Sequence, residues 1–202
     1  MSEETLPLAM QPSTVANIRA SILDKDSESH VETPAVVDDT AELVRRAQRG
    51  DKGAFGLLYR RNRPAVLRLA RNYLRDDAED AVAETFVRAW KALPRYRDRG
   101  VPFAAWLYGI ARNVVKDELR RKGRTELRAE LFDAAVQHSP EDRLDLLAAI
   151  GRLSKDHRQV VEMKYLMGLD NDDIAKAMGK STGAVNAMRW RALAELRKVV
   201  ER

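Results

Sequence analysis

No cysteine occurs anywhere in the chain, and its three histidines, His30, His138 and His157, are scattered. A disulfide framework and thiolate metal sites are therefore excluded, and a metal centre is not expected. The sequence also lacks any apolar run of the roughly 18 residues that a membrane span requires. Its start, MSEETLPLAM, has neither the basic region nor the apolar core of a secretory leader. These absences predict a cytoplasmic protein with no membrane partner. No stretch of any length alternates apolar and polar residues, so the expected fold class is all-α.

Charge is distributed unevenly. Residues 1–38 hold seven acidic and two basic side chains, whereas residues 39–125 hold 21 Lys and Arg against 11 Asp and Glu. The positive field belongs to one segment, as expected where a polyanion docks, while solvated Arg-rich helices are the plainer explanation. Hydrophobic residues make up 45% of the 202, enough for packed cores.

Residues 1–38 mix Ser, Thr, Pro and acids without a sustained apolar period and read as a disordered acidic tail. A helical domain is expected over 39–122, opening with a hairpin broken at Gly50–Asp51. Pro64 is placed in the first turn of a further helix, PAVLRLARNYL. A helix from about Ala78 to Leu93, ended by Pro94, precedes a loop and a long helix from Pro102. Residues 123–140 read as a flexible linker, and 141–202 as a second small helical domain.

Three stretches carry chemistry. In LDNDDIAKAMGKSTGAVNAMRWRALAELRK a helix over about Asn171–Met178 meets a turn at Gly179, and Ser181 caps a longer helix. That is helix-turn-helix spacing, which puts Asn186, Arg189, Trp190 and Arg191 outward near the half that enters a major groove. Asn there pairs with adenine and Arg with guanine. A plain three- or four-helix bundle is the alternative. In AEDAVAETFVRAWKAL, Asp80 and Glu84 stand one turn apart, preceded by Asp76 and Asp77. A protein-binding face accounts for them more simply than metal or acid–base chemistry, because no nearby His, Cys or phosphate-binding loop accompanies them; favourable placement at a helix N-terminus is the bland reading. In PRYRDRGVPFAAWLYGIARN, four of the twelve aromatic residues lie among arginines.

The acidic helix, the aromatic and arginine-rich loop and helix, the linker and the helix-turn-helix closely resemble, in that order, the bacterial extracytoplasmic-function sigma factors of the sigma-70 family, over about residues 39–202. The resemblance implies a promoter-specificity factor without enzymatic activity or cofactor, whose partners are core RNA polymerase, promoter DNA and an anti-sigma factor. Asp80, Glu84, Phe86 and Trp90 then face the β′ clamp helices. Tyr96, Arg97, Arg99 and Trp106 in the loop and helix start, with Arg112, Asn113, Lys116 and Arg120 further along, receive the single-stranded −10 element. Tyr96 supports a flipped base and Asn113 reads it. Stacking of an unpaired base on an aromatic face contributes about 1–3 kcal/mol while arginines neutralise phosphates. Ser181, Thr182, Asn186, Arg189, Trp190 and Arg191 meet the −35 duplex, and the same domain touches the β flap. Two stretches depart from the family pattern: Ala83 stands where Gln is frequent, and Asn186–Ala187–Met188 replace a more basic run. A stand-alone repressor or activator, and a metal-dependent nucleic-acid enzyme using Asp76, Asp77, Asp80 and Glu84, are the competing functions.

Overall fold

The computed structural model describes residues 39–98, 100–121 and 149–200. The expected tail and linker fall outside the described residues. All regular structure within them is helical, in two domains.

In the first domain, α1 (Thr40–Gln48) buries Leu43, Val44 and Ala47, a stripe three and four residues apart. It ends at Gly50, whose φ of 92° suits glycine best. Asp51 then starts α2 (Lys52–Leu74) by accepting the Ala54 amide at 3.0 Å, while its other oxygen takes Arg46 at 2.6 Å. A short 3₁₀ turn, Arg75–Asp77, leads into α3 (Ala78–Ala92), and a second, Leu93–Arg95, follows with Pro94. The Gln48 amide donates to the Leu93 and Tyr96 carbonyls at 3.0 and 2.8 Å, tying the end of α1 to that turn. The domain closes with α4 (Phe103–Arg121), packed on α2 and α3.

One boundary differs from expectation. Pro64 does not begin a helix; it lies inside the 23-residue α2. Its missing N–H removes a bond to the Arg60 carbonyl, and interior proline costs about 3 kcal/mol relative to alanine. Burial overrides the local preference: Leu58 on one side of the proline and Ala65, Val66 and Leu69 on the other enter the same core. The Pro64 ring itself remains exposed.

In the second domain a helical end at residues 149–152 leads to α5 (Lys155–Val161), capped by Ser154. Without a break α5 widens into a π turn, Glu162–Leu166, where the Met167 amide reaches the Glu162 carbonyl at 3.0 Å. Next, α6 (Asn171–Met178) is capped by Asp170, which accepts the Asp173 amide at 2.7 Å. Gly179 adopts φ 62° and lets Lys180 donate back to the Ala175 carbonyl, closing the helix. The last helix, α7 (Thr182–Val200), starts at Ser181, whose hydroxyl accepts the Ala184 amide at 3.2 Å. Both α5 and α6 pack on α7.

The two domains touch. The π turn rests on α2 and α6 on α4. Arg68 of α2 donates to the Leu166 carbonyl at 3.0 Å across that contact.

Candidate nucleic-acid interface

The acidic helix α3 turns Val82, Phe86 and Ala89 into the core. Phe86 lies on the inward stripe that the helical spacing gives it, packing edge-on against Tyr59 with ring centres 4.6 Å apart, and so it does not share the exposed face of Asp80 that the resemblance implies for it. Asp80 is exposed, and Glu84 pairs with Arg88 at 2.7 Å. Arg88 bridges on to Asp117 of α4 at 2.6 Å, fixing one helix to the other. Trp90 is half-buried against Phe55 at 4.8 Å. Between these lies Val87, 46% exposed, which the reading of the sequence passed over. Its spacing, three residues after Glu84 and three before Trp90, was the available signal. Among the described residues no three His, Asp or Glu side chains converge as a metal site.

The loop after Pro94 is built around Tyr96, whose ring is 7% exposed. Its hydroxyl donates to the Val101 carbonyl at 3.0 Å, and burial, with Asp98 adding, pushes its pKa up. Tyr96, Phe103 and Trp106 form a cluster with centre separations of 4.9–6.0 Å. Trp106 is half-buried at its edge. Gly100, at φ 78°, turns the chain with its amide on Asp98. Arg97 is exposed on this loop; Arg99 lies outside the described residues.

Along α4, Asn113 is seven residues from Trp106 and Arg120 seven beyond that, both exposed, with Lys116 half-buried between them. The Arg120 guanidinium is 3.9 Å from Asp117. A cleft of about 600 Å³ runs past Arg97, Tyr96, Trp106, Arg112 and Asn113, and its opposite wall is Gln159 and Met163 of the second domain. Most of the expected aromatic and basic set is thus brought together along one surface. Tyr108, of the same aromatic run, is not on it. Its side chain is buried and its hydroxyl donates to Glu162 at 2.5 Å.

On the second domain, Thr182 donates to Asp172 and the Asn171 amide donates to Asn186 Oδ1, both at 2.6 Å, bracing α6 against α7. Asn186 is half-buried by this contact. Trp190 is 48% exposed, with the Arg189 guanidinium 5.6 Å from its ring centre, and Arg191 is exposed beside it. Burial and the nearby Arg189 charge lower the pKa of Lys164. This arrangement holds an indole and two guanidinium groups at one helix surface, where phosphate oxygens and base edges are suitable partners.

Comparison with known proteins agrees with this order of parts. The family model described as Sigma-70 region 2 matches residues 58–125, and that described as Sigma-70, region 4, matches residues 143–196. The ECF RNA polymerase sigma factor BldN of Streptomyces coelicolor is 36% identical over 184 residues, covering 83% of this chain and 69% of that one. The ECF RNA polymerase sigma factor SigD of Mycobacterium tuberculosis is 33% identical over 173 residues, covering 77% and 81% respectively. CnrH, solved in complex with the cytosolic domain of CnrY, superposes with a TM-score of 0.59 at 30% identity, over 81% of this chain and 98% of that one.

Proposed function

The chain belongs to the sigma-70 family, among its extracytoplasmic-function sigma factors, and from that premise we propose how its surfaces divide the work. It is an alternative sigma factor that binds core RNA polymerase, directs it to promoters and has no catalysis of its own. The observation that carries this is the succession of two helical domains, each matched by the corresponding family model in the family's order.

In our reading, residues 39–122 dock on the β′ clamp helices through Asp80, Glu84 and Trp90, with Val87 adding apolar area, while Phe86 acts from beneath by holding α3 in place. The surface from Arg97 to Arg120 then receives the −10 element as a single strand: Trp106 offers its free edge, Tyr96 supports it from the core, and Asn113 reads the base. Arg97, Arg99, Arg112, Lys116 and Arg120 supply the cationic field. Unstacking costs a few kcal/mol, which stacking and phosphate neutralisation offset without ATP. Residues 141–202, tethered by 123–140, place the N-terminal half of α7 in the −35 major groove. Trp190 and Arg191 are its most exposed candidates, Arg189 and Asn186 lie beside them, and Ser181 and Thr182 shape the helix start. The same domain meets the β flap.

Among the described residues no helix is long and apolar enough to cross a membrane. We place the protein in the cytoplasm, where core polymerase acts, and assign it an anti-sigma factor as inhibitor, by analogy with CnrH and its partner. The acidic tail, of charge opposite to residues 39–125, modulates activity.

Run-off transcription tests the reading. Purified core polymerase on a pool of bacterial promoter fragments should give mapped starts that depend on the protein and share spaced upstream elements. Asp80→Ala and Glu84→Ala should raise the protein concentration needed. Absence of any protein-dependent start, together with no binding to core polymerase, would overturn it.

A further inference from the structure

Glu162 has no exposed surface, although it is a carboxyl group in the π turn of the second domain. Its two oxygens are held from the other domain. Oε1 accepts the Tyr73 hydroxyl of α2, and Oε2 accepts the Tyr108 hydroxyl of α4 at 2.5 Å. Arg112 of α4 brings its Nε to 3.7 Å from Oε2. From within its own domain, the Arg158 guanidinium adds positive field while donating to the Gly151 and Leu153 carbonyls at 2.9 Å. Arg68 closes the seam at the far end of the turn by its bond to the Leu166 carbonyl. Buried carboxyl groups are tolerated only where such partners meet them, so this seam is specific in position as well as apolar in part. Burial together with the Glu162 charge pushes both phenols well above their usual range, which keeps them as donors.

The docked geometry bears directly on the −10 surface. Arg112 is one residue from Asn113, and its guanidinium is drawn into the seam, 19% exposed. Gln159, Met163 and Ala177 form the far wall of the cleft beside Trp106 and Asn113. The cleft between this wall and α4 is the space that a strand laid across Trp106 and Asn113 would enter, while the Arg112 guanidinium is turned into the seam. The docked form therefore offers a strand a walled cleft without the Arg112 charge, and the parted form offers the whole surface.

We propose that Glu162, with Tyr73, Tyr108 and Arg112, is an intramolecular latch that holds the second domain beside the −10 surface of the free protein and withholds Arg112 from DNA until the domains part. The proposal rests on the assignment of that surface made above. The latch makes opening a two-state event, because its partners come from two helices and the bonds are lost together when the domains part. Binding of the first domain to polymerase and of DNA to α4 both favour the parted state, in proportion to their preference for it. Losing one of the donors should raise the ratio of parted to docked molecules roughly tenfold, corresponding to about 1.4 kcal/mol.

The absence of native cysteine makes the test direct. Dyes placed by Lys52→Cys and Ala194→Cys, both exposed positions on different domains, report domain separation by single-molecule energy transfer in the full chain. The unmodified latch should give one dominant docked population. Tyr73→Phe should raise the parted-to-docked ratio roughly tenfold, and Glu162→Lys, which faces Arg112 and Arg158 with a like charge, should raise it further. Circular dichroism verifies that each variant retains its helices, and Tyr73→Phe removes only a hydroxyl. A distribution already dominated by parted molecules, or one unchanged by either substitution, would overturn the latch. Core polymerase added to the unmodified protein separates the two ideas. If polymerase parts the domains but both variants match the unmodified protein, the latch fails and the sigma-factor reading stands. If the variants part the domains but polymerase neither binds nor shifts any population, the contact stands and its role in gating DNA falls with that reading.

Discussion

Arg158 is 1% exposed, an unusual place for a guanidinium, and its replacement by methionine makes a demanding prediction. Its Nη2 donates to the Gly151 and Leu153 carbonyls, both at 2.9 Å, closing the turn that joins the helical end at 149–152 to α5. Its charge also lowers the cost of burying Glu162, one turn further on. Methionine fills much of the volume but leaves two carbonyls without their donor and a buried carboxyl group with one cation fewer. Each hydrogen bond to a charged group contributes about 1.5–3 kcal/mol, and breaking a buried ionic pair typically costs about 3–5 kcal/mol. Because one guanidinium makes all of these contacts, the losses overlap, and about 3–5 kcal/mol is expected in total. For a chain of this size that corresponds to a fall in Tm of roughly 6–20 °C. Urea unfolding followed by circular dichroism, with Trp190 fluorescence in a background lacking Trp90 and Trp106, would locate the loss in the second domain. Arg158→Lys should be intermediate, since it keeps the charge but cannot fork to two carbonyls. A loss below about 1 kcal/mol for Arg158→Met would refute the reasoning, because it would mean that neither the carbonyls nor Glu162 depends on the guanidinium.

Other substitutions probe independent features. Pro64→Ala, at an exposed ring inside α2, should stabilise the first domain by about 1–3 kcal/mol in thermal unfolding, and an unchanged or lower Tm would show that the helix is not continuous there. Arg189→Ala should weaken −35 recognition by about 1–3 kcal/mol with loss concentrated at one base position; uniform loss across promoter sequences would make Arg189 a phosphate contact instead. Burial raises the pKa of Glu162 above its usual value, ahead of the opposing effects of Tyr108, Tyr73, Arg112 and Arg158. Its protonated form thus favours the folded, docked chain over the unfolded one: the contribution is complete below the ordinary carboxylate range and is lost as pH rises through the raised value. The Tm in thermal unfolding should carry a component that falls as pH rises over that window, and Glu162→Gln, neutral throughout, should flatten it. A slope unaltered by Glu162→Gln would assign the titration to another group.

The parts legible in the sequence were those written in local signals. Gly179 and Ser181 punctuate the helix-turn-helix, and the structure uses them as a left-handed turn and a cap. Pro94 and Gly100 likewise bracket the loop that precedes α4. What escaped was decided by tertiary contact. Pro64 reads as a helix start because its own chemistry prefers one, and only the shared core on both sides of it makes α2 continuous. Phe86 follows the inward stripe, but the exposure of its neighbour Val87 escaped because it depends on how α3 seats Phe86 against Tyr59. Glu162 and Arg158 did carry a trace: two charged residues four apart within the apolar run around Val160, Val161 and Met163. Their partners, Tyr73 and Tyr108, are 89 and 54 residues away, and no periodicity connects them.

Permanganate mapping of unpaired thymines tests the central claim most directly, that the surface around Asn113 captures a melted strand for core polymerase. It would use a promoter recovered from the run-off pool. With the unmodified protein and core polymerase, reactive thymines should appear from the −10 region to the start site; with Asn113→Ala, polymerase should still bind the fragment while that reactivity is lost. Undiminished reactivity with Asn113→Ala, or none with the unmodified protein bound to polymerase on that promoter, would contradict the account.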